Sequence, residues 1–143
     1  DIAEIIQETR LPVYLKGVLT VNDALQAKAL GAAGIIVSNH GGRILDGVPT
    51  SIEMLPLIRQ AVGKDMVILC DSGIRRGSDV FKAIALGANS VLLGRPVIYA
   101  LATAGAMGVA HCLRLLKDEL QLTMALTGCG NINDITLDKI RLP

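Results

Sequence analysis

Short apolar runs alternate with amphipathic stretches along this chain, and the alternation predicts strands and helices in turn. Ile2 to Glu8 reads as the tail of a helix, closed by Arg10-Leu11-Pro12. Val13-Tyr14-Leu15-Lys16 reads as a short strand stopped by Gly17. Thr20-Val21-Asn22-Asp23 has the spacing of a capping box and opens a helix through Leu30, with Gly31 as its stop. Gly34 to Ser38 is the second strand. Thr50 to Glu53 is a second capping box, for a helix to about Val62. Met66 to Asp71 is a third strand, apolar until its last residue. Ser78 to Leu86 is a helix stopped by Gly87, and Ser90 to Leu93 is the fourth strand. A longer helical region then carries Leu113, Leu116, Leu120 and Met124 on one face, to about Leu126. Gly128 ends it, and the remaining tail reads as irregular.

A weak internal repeat supports this order. Ala29-Leu30-Gly31-Ala32-Ala33-Gly34-Ile35-Ile36-Val37 resembles Ala85-Leu86-Gly87-Ala88-Asn89-Ser90-Val91-Leu92-Leu93 at an offset of 56 residues. Each copy ends a helix at Leu-Gly-Ala and enters an aliphatic strand, and the offset spans two βα units. Four strands each followed by a helix make half of a (β/α)8 barrel, whose usual length is ~250 residues. An open four-stranded sheet has the same linear pattern, and at this level the two stand level.

Composition narrows the class. The 143 residues suit one domain with a single core. Hydrophobic residues make up 51% and aromatics only 2%, so the core is built from Ala, Val, Ile and Leu. With a mean hydropathy of +0.50, this suits a parallel sheet buried by helices, or a piece of something larger with apolar surface to cover. A net charge of +1, scattered basic residues and no Trp give no case for nucleic acid or an anionic membrane. No unbroken apolar run reaches the ~20 residues of a bilayer span. Asp1-Ile2-Ala3-Glu4 does not resemble a signal peptide. Cys70, Cys112 and Cys129 are odd in number and widely spaced, which reads as reduced thiols of an intracellular protein. No close Cys pairs exist and His111 stands alone on its helix, so no metal site is expected.

The candidate chemistry lies where strands end. Lys16, the run Ser38-Asn39-His40-Gly41-Gly42-Arg43, the run Asp71-Ser72-Gly73-Ile74-Arg75, and Gly94-Arg95 all follow apolar strands. In parallel-sheet folds that edge binds ligands. An imidazole with an ordinary pKa of ~6.5 accepts a proton at neutral pH. Three residues on, the Arg43 guanidinium offers two parallel donors matched to a carboxylate. Gly41 and Gly42 let the chain turn sharply beside a ligand. A proton acceptor beside an anion clamp is what oxidation of a small acid requires. Lys16 can stabilise developing negative charge. Two arginine-bearing strand ends in succession, the first leading into a helix start, suggest an anion site.

Together, Leu15-Lys16-Gly17, Val37 to Arg43 with Leu45-Asp46-Gly47, Asp71 to Gly77, and Leu93-Gly94-Arg95-Pro96 resemble the FMN-dependent 2-hydroxy acid oxidase and dehydrogenase family. That family includes glycolate oxidase, lactate oxidase and dehydrogenase, and mandelate dehydrogenase. The resemblance runs from the first helix to about Gly128. It implies an α/β fold in which residues 1–143 are the C-terminal half of a TIM barrel, strands five to eight with their helices. It further implies FMN as cofactor and oxidation of an L-2-hydroxy acid to the 2-oxo acid. By position, His40 matches the active-site base and Arg43 the arginine that holds the substrate carboxylate. Lys16 matches the lysine beside the flavin N1–O2 edge, and Ser38 a flavin-ring hydrogen bonder. Asp71, Ser72, Gly73, Ile74 and Arg75 match the stretch holding ribityl and phosphate, and Gly94 and Arg95 the second phosphate strand end. The implied partners are a small 2-hydroxy acid, an electron acceptor (oxygen, a quinone or a cytochrome), and further copies in a homo-oligomer when full length.

The family's barrel is more than twice this length. The other half would bring flavin contacts, substrate-site tyrosines and the aspartate that orients the histidine, so the isolated chain is expected to be inactive. Two other readings stand beside this one: another FMN- or phosphate-binding TIM-barrel enzyme, and a non-catalytic half-barrel whose open strand edges pair with another chain.

Overall fold

The computed structural model describes residues 1–141. Helix α1 (Ile2–Glu8) leads to strand β1 (Tyr14–Val18), then α2 (Val21–Ala29), β2 (Gly34–Val37), α3 (Ser51–Val62), β3 (Val67–Cys70), α4 (Gly77–Ala85), β4 (Ser90–Val91) and α5 (Arg95–Leu126). The four strands form one parallel sheet in the order β1-β2-β3-β4. That order separates the two architectures left open by the sequence. A sheet wound in one direction by right-handed crossovers carries every helix on the same face. A doubly wound sheet reverses its order and is covered on both faces.

Register shows which face is which. Leu15, Ile35 and Ile68 stand side by side, as do Val18, Val37 and Cys70. This face packs on Ala24 and Ala27 of α2 and on Leu55, Ile58 and Val62 of α3, forming the main core. The opposite rows, Tyr14-Gly34-Val67 and Lys16-Ile36-Leu69-Ser90, carry no helix layer. Tyr14 lies over Gly34, where a Cβ would meet its ring carbon Cε1 at 2.4 Å. Tyr14 is exposed, and Ile36, Val67 and Leu69 are only half-buried. A barrel's inward face looks like this when only one half of the barrel is present.

The helix ends follow from local chemistry. Thr20 accepts from the Asp23 N–H at 3.0 Å, and Thr50 and Glu53 complete a reciprocal capping box. The repeat noted in the sequence is a repeated C-cap. Ala32 N–H donates to Ala27 O at 3.1 Å and Gly31 N–H to Lys28 O at 3.1 Å. Ala88 N–H to Ala83 O (3.0 Å) and Gly87 N–H to Ile84 O (2.9 Å) copy the arrangement. Arg59 then ties the far ends of the strands together. It donates to the carbonyl oxygens of Gly63, Met66 and Gly87 and to Asn89 Oδ1, each at 2.7 Å.

Three elements differ from the sequence reading. Gly17 does not stop β1: the strand runs on to Val18 through an irregularity between Lys16 and Val18. With φ at +94°, Gly17 gives a bulge at the ligand edge of the strand. β4 is shorter than expected, although Leu92 N–H still donates to Cys70 O at 3.0 Å. The irregular tail contains two 3₁₀ turns, Ile132–Asp134 and Leu137–Lys139, and buries Ile135.

α5 is long and apolar enough, by length and composition, to cross a membrane, which a search for unbroken apolar runs does not register. Its backbone leaves helical geometry at Ala104 and Gly105. Beyond that break, Leu120 and Met124 pack with Phe81 and Ala85 of α4 and with Cys129 and Ile135 in a second core.

Candidate active site

The C-terminal ends of the four strands open onto one cleft of ≈ 420 Å³. Lys16, His40, Arg43, Asp71, Arg75 and Arg95 line it, with Ser72, Gly73, Ile74 and Gly94 between them. The tertiary fold thus brings to one place nearly every residue singled out in the sequence. Ser38 is the exception. It is fully buried beneath the cleft, and its hydroxyl accepts from Lys16 Nζ at 2.8 Å and from His40 N–H at 3.1 Å.

Lys16 is the last residue of β1 in regular register, opposite Ile36 on the helix-free face, which places it at the ligand edge of the sheet. Its Nζ also donates to Asp71 Oδ2 at 2.6 Å. An ammonium has three donors, so the two bonds leave one for a ligand. Burial pushes the Asp71 carboxyl up, but hydrogen bonds from Lys16, Ser38 and Ser72 and the charge of Lys16 outweigh it. The net result is a carboxyl held below its ordinary value.

His40 opens a 3₁₀ turn, His40–Gly42, capped by Asn39, whose side-chain oxygen accepts from Gly42 N–H at 3.2 Å. Asn39 is itself anchored through its N–H to the buried Ser51 hydroxyl at 3.1 Å. His40 adopts φ +57°, an uncommon conformation for a side-chain-bearing residue. Its ring stacks against the bulge: a Cβ at Gly17 would lie 2.7 Å from His40 Cε1. Arg43 folds back so that its Nε donates to His40 O at 3.2 Å, which keeps the cation beside the imidazole.

The anion end of the cleft differs in detail from the sequence reading. The start of α4 is not open to a ligand. Asp79 accepts from the N–H groups of Arg75 and Arg76 at 3.0 and 2.9 Å, and Glu119 from Gly77 N–H at 2.8 Å. α5 is different: its N-cap is Gly94, with no side-chain cap, and it opens on the cleft. Nothing lies within 4 Å of where a Cβ would stand on Gly73 or Gly94. Two open glycine backbones, an uncapped helix start and the side chains of Arg75 and Arg95 fit a phosphate monoester. In this arrangement Arg95 Nη2 donates to Gly41 O at 3.2 Å, joining the anion end to the histidine turn.

The sequence reading missed Gly17, Asn39 and Ser51 as parts of the site. Gly17 was visible as a glycine directly after a strand-end lysine, but its contact with His40 joins elements 23 residues apart. Asn39 showed as a turn residue within the histidine run. Ser51 looked like an ordinary first residue of a helix.

The geometry has close counterparts in known proteins. An L-lactate oxidase of Alicycliphilus denitrificans is 55% identical over 98% of this chain and 38% of its own length. A peroxisomal (S)-2-hydroxyacid oxidase of Arabidopsis thaliana is 51% identical over 99% of this chain and 39% of its own. A mandelate oxidase solved with (S)-4-hydroxymandelic acid superposes with a TM-score of 0.92 at 50% identity, covering 95% of this chain and 38% of that one. A second structure, a mandelate oxidase holding a monooxide FMN adduct, also gives 0.92. The chain therefore spans about two fifths of the length of these relatives. These likenesses place the sheet within part of a TIM barrel. Residues 1–142 match the FMN-dependent dehydrogenase family, and the chain belongs to it.

Proposed function

We propose that residues 1–143 are the C-terminal half-barrel of an FMN-dependent enzyme that oxidises an L-2-hydroxy acid to the 2-oxo acid. One observation carries this reading: His40 and Arg43 sit on one turn of a cleft whose other wall is Lys16 and two arginine-bearing strand ends. Arg43 binds the substrate carboxylate and thereby presents the α-carbon to His40. The α C–H and the hydroxyl O–H bonds break as the C=O bond forms; one imidazole nitrogen of His40 takes one of the two protons, and the other leaves with the electron pair to the acceptor. FMN, when bound, supplies the acceptor for those electrons. Lys16, through its third donor, stabilises negative charge at the flavin edge. Gly73, Arg75, Gly94 and Arg95 hold the phosphate, and Asp71 and Ile74 border the ribityl chain. Ser38 acts from beneath through Lys16, and Ser72 completes the wall.

The same reading makes the isolated chain inactive. Among the described residues no carboxylate forms an ion pair with the His40 ring, so the partner that would orient the base is not supplied by them. We further infer an intracellular protein, from three unpaired cysteines and a relative named as peroxisomal. The electron acceptor is oxygen, a quinone or a cytochrome, and the full-length protein is a homo-oligomer.

The test is direct. The full-length protein, purified, is expected to be yellow and to bleach without oxygen on adding L-lactate, glycolate or L-mandelate. A colourless protein, or a yellow one that none of the three bleaches, refutes the assignment. Arg43→Lys is expected to raise KM by about tenfold or more, because a charge-assisted bidentate contact is lost.

A further inference from the structure

We propose that the Ser72 hydroxyl is a latch that positions the His40 turn, in addition to lining the cofactor cleft; this rests on the reading of the site given above. Only two non-glycine residues among those described have a left-handed backbone, His40 at φ +57° and Ser72 at φ +73°. They stand side by side, with Ser72 Oγ 3.1 Å from the amide nitrogen of the residue after His40. Side chains are disfavoured in that region, and glycine would adopt it freely. Ser72 keeps a side chain there, and its hydroxyl both donates and accepts. Its Oγ donates to Asp71 Oδ1 at 2.8 Å and accepts from Gly41 N–H at 3.1 Å.

Those two bonds close a ring. Lys16 Nζ donates to Asp71 and to Ser38, Ser38 accepts from His40 N–H, and Ser72 carries the chain from Asp71 back to Gly41 N–H. Two consecutive amides of the proton-accepting turn, His40 and Gly41, are thus each held by a serine hydroxyl. Both serines bond the same Asp71–Lys16 pair. Glycine at residue 72 would leave the backbone at ease but release Gly41. The imidazole position is therefore coupled to Lys16 through a hydroxyl that bonds Asp71 and the Gly41 amide.

The test compares Ser72→Gly and Ser72→Ala in the full-length holoenzyme. Both remove the hydroxyl; the glycine variant relieves the backbone, and the alanine variant keeps the left-handed penalty. Both are expected to lower kcat by about fivefold to tenfold and to raise the isotope effect for substrate deuterated at the α-carbon, because chemistry becomes slower when the base is misplaced. Turnover is expressed per bound FMN, because Ser72 also lines the cofactor cleft, and the fall in kcat is expected to persist in fully loaded enzyme. Hydrogen exchange of the peptide over Asn39 to Arg43 should quicken by about tenfold on loss of one hydrogen bond. The glycine variant should melt higher than the alanine variant, since both lose the hydroxyl but only alanine keeps the left-handed penalty. Unchanged kcat and isotope effect in both variants overturn the latch. So does a fall in turnover that tracks loss of FMN. A parent protein that turns over no 2-hydroxy acid refutes the oxidase reading instead; unchanged exchange at the turn in the variants would then overturn the latch as well.

Discussion

Removing Lys16 and Asp71 separately and together tests whether their ion pair organises the cleft. The contact is short, 2.6 Å, but the partners differ in exposure: the Lys16 side chain is 40% exposed and that of Asp71 17%. Exposed pairs contribute ~0–1 kcal/mol, and removing one partner of a fully buried pair costs ~3–5 kcal/mol. This pair lies between, so a coupling of about 1–2 kcal/mol is expected. The single variants should be unequal. Asp71→Asn leaves a lysine that can turn to water, whereas Lys16→Met strands a carboxylate in a poorly hydrated site. Lys16→Met is therefore the more destabilising change. Acidity supplies the sign. In the parent, Asp71 titrates below its ordinary ~3.9, so its contribution is complete above that pH and is lost as the pH falls through the lowered value. In Lys16→Met the carboxyl loses the hydrogen bond and the charge of Lys16 but keeps its bonds to Ser38 and Ser72, so it titrates higher than in the parent and contributes less stability once ionised. The gap between parent and variant should therefore be widest at neutral pH and narrow toward about pH 4. Urea unfolding of the full-length protein at several pH values, arranged as a double-mutant cycle, measures it. Additivity within ~0.3 kcal/mol, or a gap that does not change with pH, refutes the argument.

Other positions make equally specific demands. In Gly17→Ala the new methyl would stand 2.7 Å from His40 Cε1 on a φ of +94°, so turnover should fall about tenfold or more while FMN stays bound; steady-state kinetics with undiminished kcat would show that the bulge does not set the imidazole. Gly77→Ala would put a Cβ 2.1 Å from Leu120 N and 2.5 Å from Glu119 C, backbone atoms that cannot swing aside. It should lower stability by about 3 kcal/mol, at the upper end for overpacking, and an unchanged urea midpoint would contradict the close approach of α4 and α5. Burial, helped by the charge of Asp71, pushes the Cys70 thiol up to about 12. In the folded protein at pH 8, thiol alkylation followed by mass spectrometry should therefore find Cys112, which is half-buried, labelled well before Cys70. Labelling of Cys70 first would overturn this account of its environment.

Much of the fold was written in local signals. Capping residues at Thr20 and Thr50, left-handed stops at Gly31 and Gly87, and aliphatic runs at Ile35-Ile36-Val37 and Val67-Ile68-Leu69 set the elements without reference to anything distant. Strand-end placement of Lys16, His40, Arg43, Asp71, Arg75 and Arg95 was legible too, because a parallel strand presents its last residues at one edge. The sequence did not separate a singly wound half-barrel from an open sheet. That depends on strand order and on which face the helices cover, and both pairings are non-local. Nor did it show that Asp79 and Glu119 satisfy the amides at the start of α4, which moves the open helix end to Gly94 and α5. Asp79 lies close in sequence, but Glu119 lies 42 residues beyond Gly77, and only packing brings it there. The ring from Lys16 through Asp71 and Ser72 to Gly41 is of the same kind. Its members are ordinary strand-end residues one at a time. They become a device only when the parallel register sets three strand ends side by side, because a hydrogen bond needs atoms within about 3 Å and sequence spacing alone cannot bring them that close.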